Sequence, residues 1–180
     1  SYLFRVMETG HLEHLYYGRK IHPAIDGLME QHAFAPGNTN IYDSEHLQFS
    51  LEDACLEMSS FGKGDIREPF VELTLSDGSE TSDFLFEKFE QGTGKEEFET
   101  LPGSYDESGE VERLSVTLRD KNSGVILELH YYIYEDCDVI TRSAKLINES
   151  GDAVKLNRLM SLQLDLEPSD YVLTTFHGAW

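Results

Sequence analysis

His11-Leu12-Glu13-His14 is the first place in this chain where residue types and spacing could do chemistry. On a helix, two imidazoles three residues apart would share a face and could bind a metal ion, but on a strand the odd offset sends them to opposite faces. The neighbours alternate as a strand, so no shared metal site is expected. His22, His32, His46, His130 and His177 are scattered, and none is read as having a Cys or acidic partner at ligand spacing. No metal or cofactor is therefore expected.

Glu52-Asp53 and Glu135-Asp136 are carboxylate pairs of the kind that glycosidic acid and nucleophile chemistry needs. With 34 acidic residues in the chain, however, adjacency arises by chance, and a solvated surface is the simpler reading. Ser59-Ser60-Phe61-Gly62-Lys63-Gly64-Asp65 faintly resembles a phosphate loop, yet it lacks the glycine spacing and the Lys-Ser/Thr ending. It reads better as a tight turn in which Gly62 and Gly64 take positive φ, with Asp65 and Arg67 set to pair with each other or with a partner. Tyr16, Tyr17, Phe34, Tyr42 and Trp180 lie near turns or the terminus, where an aromatic face could stack on a sugar ring.

These residues must be positioned by strands. Val125, Leu127, Leu129, Tyr131 and Ile133 share one parity, and Glu128, His130, Tyr132 and Tyr134 the other, as period-two geometry requires. Ile140, Ala144 and Leu146 continue the pattern beyond an acidic turn at Glu135, Asp136 and Asp138. Residues 2–7 and 11–17 read as a hairpin, and further strands are expected at 70–75, 81–89 and around Leu114, Val116 and Leu118. Asp120-Lys121-Asn122-Ser123-Gly124 is a strong turn. Val154, Leu156, Met160, Leu162, Leu164 and Leu166 share parity along one long strand, with Arg158 the exception, which predicts a bulge or a side chain snorkelling out of the sheet. Short helical turns are expected near residues 23–30 and after Ser50, where Asp53 completes a weak cap. Residues 21–48 and 90–110 resist assignment to strands, and loops of that length are commonly functional.

The chain is long enough, at 180 residues, to bury one core, and a single domain over residues 1–180 is expected. A formal net charge of −20 would repel phosphate backbones and anionic lipid, so neither nucleic acid nor a membrane is an expected partner. No apolar run approaches the roughly 20 residues that cross a bilayer, and no targeting signal is visible. The absence of an initiator Met fits processing or a fragment. Cys55 and Cys137 are expected to be reduced thiols in the cytoplasm, and Asn148-Glu149-Ser150 is read as a turn despite its sequon form.

Taken in order, several segments resemble the N-terminal domain of bacterial α-galactosidases of glycoside hydrolase family 36. They are Gly10-His11-Leu12-Glu13-His14-Leu15-Tyr16-Tyr17-Gly18, Phe49-Ser50-Leu51-Glu52, Gly62-Lys63-Gly64-Asp65-Ile66-Arg67-Glu68-Pro69 and Leu101-Pro102-Gly103-Ser104-Tyr105, followed by residues 131–148, residues 161–166 and Gly178-Ala179-Trp180. The resemblance implies an all-β fold, a large antiparallel two-sheet β-supersandwich related to galactose-mutarotase-like domains, preceding a catalytic TIM barrel of the same chain. The catalytic aspartates of the family lie in that barrel, so no catalytic residue is expected here and the fragment alone should be inactive.

The resemblance also implies a homo-oligomer, tetrameric in some members, in which residues 27–48 reach the galactose pocket of a neighbouring subunit. Gln31-His32-Ala33-Phe34-Ala35-Pro36 matches the family's segment, with Gln31 standing where some relatives carry an Asp. An amide exchanges hydrogen bonds with hydroxyls but carries no charge. Gln31, His32, Asp43 and His46 are the candidate contacts to an α-galactoside. The alternative is an independent carbohydrate-binding or protein-interaction β-sandwich module.

Overall fold

The computed structural model describes residues 1–22, 27–28, 40–100, 103–107, 109–166 and 169–178. Its elements in chain order are β1 (Tyr2–Val6), β2 (Leu12–Tyr17), β3 (Val71–Thr74), β4 (Phe84–Thr93), β5 (Glu112–Asp120), β6 (Ile126–Tyr134), β7 (Val139–Ile147) and β8 (Lys155–Leu159). Single 3-10 turns occupy Leu51–Asp53 and Glu135–Cys137.

Two antiparallel layers face each other. One is the four-stranded meander β4-β5-β6-β7. The other is assembled from the β1-β2 and β3-β8 pairs, which an irregular segment stitches together: His14 N donates to Cys55 O at 2.7 Å, Glu57 N to Leu12 O at 3.0 Å, and Phe70 N to Ser59 O at 3.0 Å. Between the layers, Leu12, Met58, Phe70, Val71 and Leu73 meet Phe84, Val116, Leu118, Val125, Leu127, Leu129 and Tyr131. Each such side chain, fully buried, contributes about 1.5–3 kcal/mol relative to exposure, which is what holds the layers together.

Local turn chemistry sets the strand ends. Asp120 Oδ2 accepts from Ser123 N at 2.8 Å, and Gly124 at φ 78° closes the β5-β6 turn. Asn148 Oδ1 accepts from Ser150 N at 3.0 Å, and Gly151 takes φ 83°, so the sequon is a turn as expected. Gly62 and Gly64 have φ 92° and 86°, and a Cβ on Gly62 would lie 2.5 Å from Thr81 Oγ1. Glu135 and Asp136 do lie in the turn between β6 and β7, which ends on Asp138 in the left-handed region at φ 55°.

Three expectations need correction. The strand ending at residue 89 runs on to Thr93, because Glu90, Gln91, Gly92 and Thr93 find ladder partners in Ser115, Leu114, Arg113 and Glu112. The long strand over residues 154–166 is only β8, Lys155–Leu159, although the bulge expected at Arg158 is present: Glu72 pairs with Arg158 and Leu73 with Leu156, so that Asn157 has no register partner. Leu159 then packs on the core, while Met160, Leu162 and Leu164 face outward. The second face of β6 is also covered at its centre, where Tyr132 and His130 are buried and Lys95 Nζ lies 4.3 Å over the Tyr132 ring. Ser50 makes no side-chain cap at the 3-10 turn, which rests on backbone bonds instead.

Candidate functional site

Residues 40–49 lead out of the stretch singled out for sugar contact. Tyr42 N donates to Phe49 O at 2.8 Å and closes a compact loop. Within it, Asp43 Oδ1 accepts from Glu45 N (2.9 Å), His46 N (2.9 Å) and, when that atom is protonated, His46 Nδ1 (2.7 Å). Desolvation opposes ionisation of Asp43, but these bonds together outweigh it and hold its carboxyl below the usual range. With Nδ1 turned to the carboxylate, Nε2 is the ring atom able to exchange with a hydroxyl. Asp43 and His46 are thus a pre-formed pair with side chains 29% and 33% exposed. The expectation that His46 has no acidic partner is thereby corrected: the loop's curvature brings Asp43, three residues earlier, against its ring. Gln31 and His32 lie outside the described residues, as do Phe34 and Trp180.

Tyr42 is not the sugar platform that its place near turns suggested. Its ring is buried at 6% exposure, edge-on to His11 at 4.8 Å, and its hydroxyl donates to Asp83 Oδ2 at 2.9 Å. Burial first, then the Asp83 charge, push the phenol well up, so it stays a donor. Tyr17 remains an exposed ring, whereas the Tyr16 hydroxyl donates to Arg19 O at 3.1 Å.

Asp83 is a hub that the sequence did not single out. His11 Nε2 lies 3.1 Å from Oδ1, Lys63 Nζ lies 3.6 Å from Oδ2 and 4.7 Å over the Tyr42 ring, and the Asp83 N–H donates to Asp120 Oδ1 at 2.6 Å. Burial alone would raise the Asp83 carboxyl; bonds from His11 and Tyr42 and the Lys63 charge outweigh it and hold the carboxyl below the usual range. A depressed acid stabilises the fold above its unfolded value of about 3.9 and loses that contribution as pH falls through its lower folded value. Asp83→Asn should therefore be less stable than the parent at neutral pH, with the gap closing between about pH 5 and pH 2. Circular dichroism of both proteins against urea across that range checks it; a gap constant with pH would remove Asp83 from the acid response.

His14 belongs to a different cluster. Glu57, 0% exposed, accepts from the Tyr2 hydroxyl (2.8 Å), the Tyr131 hydroxyl (2.7 Å) and Arg142 Nη2 (2.8 Å), and His14 Nδ1 lies 3.3 Å away. The Arg142 guanidinium also lies 4.7 Å over the Tyr131 ring. Burial and then the Glu57 charge raise both phenols, which keeps them protonated as donors. The two histidines of His11-x-x-His14 thus serve separate carboxylates, as their odd offset on a strand requires. Among the described residues, no three His, Cys, Asp or Glu side chains are placed to hold a metal ion.

Asp65 and Arg67 pair as expected, through Nε to Oδ1 at 2.8 Å and Nη2 to Oδ2 at 3.0 Å, and Arg67 also bonds Asp165 and Leu51 O. This is a structural clamp across loops. Cys55 and Cys137 are free thiols. None of these clusters places a paired acid and nucleophile around an open cleft.

Residues 10–180 match the family model of the glycosyl hydrolase family 36 N-terminal domain. The chain is 31% identical over 189 residues to alpha-galactosidase AgaA of Geobacillus stearothermophilus, covering 100% of this chain and 25% of that protein. It is 32% identical over 180 residues to alpha-galactosidase Mel36A of Lactobacillus acidophilus, covering 99% and 25% respectively. The crystal structure of an alpha-galactosidase from Lactobacillus brevis superposes with a TM-score of 0.83 at 33% identity, over 91% of this chain and 22% of that one. An AgaA variant in complex with raffinose superposes with a TM-score of 0.84 at 29% identity, over 91% and 23%. The chain spans about a quarter of the length of the curated relatives it matches. On the match over residues 10–180, the chain belongs to the glycosyl hydrolase family 36 N-terminal domain family.

Proposed function

We propose that this chain is the non-catalytic N-terminal sandwich of an α-galactosidase, supporting the catalytic barrel of the same polypeptide and the assembly of subunits. The observation that carries this is the family match over nearly the whole chain, at about a quarter of the length of relatives named as α-galactosidases. Bond cleavage is assigned to two carboxylates of the barrel, acting with retention through a covalent galactosyl intermediate on terminal α-linked galactose. Residues 27–48 lend Gln31, His32, Asp43 and His46 to the rim of a neighbouring subunit's galactose site. The free thiols suit a reducing, cytoplasmic setting.

The surface supports an assembly role. Along residues 160–166 two polar side chains turn inward: Gln163 Oε1 accepts from Ser59 N at 3.1 Å and Ser59 Oγ at 2.9 Å, and Asp165 pairs with Arg67. Met160, Leu162 and Leu164 turn outward at 48%, 46% and 42% exposure. An extended segment that pins its polar side and presents its apolar side offers a contiguous contact face.

The test is release of nitrophenol from nitrophenyl α-galactoside by the full-length protein and by the 180-residue chain at equal molarity. Turnover by the full-length protein with none from the chain is expected. Turnover by the chain alone would overturn the non-catalytic reading, and none by either would overturn the α-galactosidase reading.

A further inference from the structure

The loop that carries Asp43 and His46 is fixed at its base by a buried charge cluster on the far side of Tyr42. Asp83, 1% exposed, holds the Tyr42 hydroxyl at 2.9 Å, and Lys63 reaches both the Asp83 carboxylate (3.6 Å) and the Tyr42 ring (4.7 Å). His11 completes the cage, 3.1 Å from the other Asp83 oxygen and edge-on to the same ring. Three separate chain segments, at residues 11, 63 and 83, therefore converge on one tyrosine. Tyr42 in turn closes the loop through its bond to Phe49 and lies 5.8 Å, ring to ring, from His46.

We propose that Lys63 and Asp83 are positioning residues for galactoside binding, acting through Tyr42 to set where the Asp43–His46 pair stands. This rests on the reading that residues 27–48 form part of a galactose rim. The physical reason is that a polar contact to a sugar hydroxyl works only within a few tenths of an ångström, and a loop holds such a position only if its base is immobile. Tyr42 supplies that base because its ring is packed on one side and its hydroxyl is bonded to a carboxylate that His11 and Lys63 also contact, on a residue whose backbone N–H and C=O are bonded to Asp120 and Lys121. Lys63 neutralises the buried Asp83 charge, so that the carboxylate remains an acceptor for Tyr42.

The experiment uses the full-length enzyme with an aryl α-galactoside. Tyr42→Phe removes the bond to Asp83 but keeps the ring, and Lys63→Met removes the charge but keeps the bulk. Each should raise KM roughly 3- to 10-fold with kcat within about twofold, and Lys63→Arg should restore KM toward the parent value. A merely structural role would instead lower the active fraction, so kcat would fall at constant KM; that result overturns the proposal. Asp43→Ala and His46→Ala, measured in parallel, separate this inference from the reading beneath it. If they raise KM while Tyr42→Phe and Lys63→Met do not, the positioning role fails alone. If neither they nor Gln31→Ala and His32→Ala change KM, the rim reading fails and this inference falls with it.

Discussion

Arg142→Met is expected to destabilise the domain by about 3–5 kcal/mol, because it leaves Glu57 buried without its cation. Glu57 is 0% exposed and Arg142 shows only 6% of its side chain, so water cannot replace the lost partner. The tyrosines at positions 2 and 131 would remain as donors, but neutral hydroxyls do not offset a buried charge as a guanidinium does. At about 2–4 °C per kcal/mol for a protein of this size, the melting temperature should fall by roughly 6–20 °C. Calorimetry of the parent and the variant measures it, and a fall below about 3 °C would show that the pair is not a buried ion pair in solution.

The double variant Glu57→Leu with Arg142→Met sharpens that expectation. Removing both charges lifts the uncompensated-ion penalty, and buried ion pairs are often replaceable by apolar residues of similar volume. Here Tyr2, Tyr131 and His14 would each lose a partner, so recovery should be partial, leaving the double variant between parent and Arg142→Met. A double variant less stable than the single one would mean that the hydroxyl and imidazole contacts, not the ion pair, dominate the cluster.

Phe84→Ala should cost about 3–5 kcal/mol by a different route, the loss of transferred surface together with a cavity that the core cannot collapse into. Phe84 is 1% exposed, opens β4 and faces the main inter-layer cluster. Both layers supply its neighbours, so neither sheet can move in without disturbing the other's ladder. In urea, the midpoint should drop with the m-value unchanged, since the same surface is exposed on unfolding. A loss under about 1 kcal/mol would place Phe84 outside the load of the core.

Legibility in the sequence followed the range of the interaction. The β6 and β7 strands were readable because Leu127, Leu129 and Tyr131 alternate with their neighbours over a span where each residue's face follows from the one before. The turns at residues 120–124 and 148–152 were readable because Asp, Asn, Ser and Gly bond their own backbone. The break in parity at Arg158 announced a bulge, but which residue forms it depends on Glu72, 86 residues away along the chain and paired with Arg158 across the β3-β8 ladder. Glu90-Gln91-Gly92-Thr93 looked like loop because its strand character comes from ladder partners in β5 and not from its own side chains.

The candidate site residues divide the same way. Asp43 and His46 are both candidates on sequence grounds, and their pairing needs only a local turn. Tyr42 was marked for its aromatic ring, but its partners Lys63 and Asp83 come from other segments, and these contacts turn a proposed sugar platform into a buried support.

By itself, the sequence determined the all-β class and an antiparallel sandwich, because these rest on periodicity and backbone turn chemistry that each segment carries locally, and its motifs in their order carried the resemblance to the family. The tertiary structure alone decided that Glu57 and Asp83, two carboxylates among 34 acidic residues, are the buried ones around which the rest is arranged. A buried charge is defined by partners that long loops bring together, and no spacing along the chain encodes which of many similar side chains those loops will enclose.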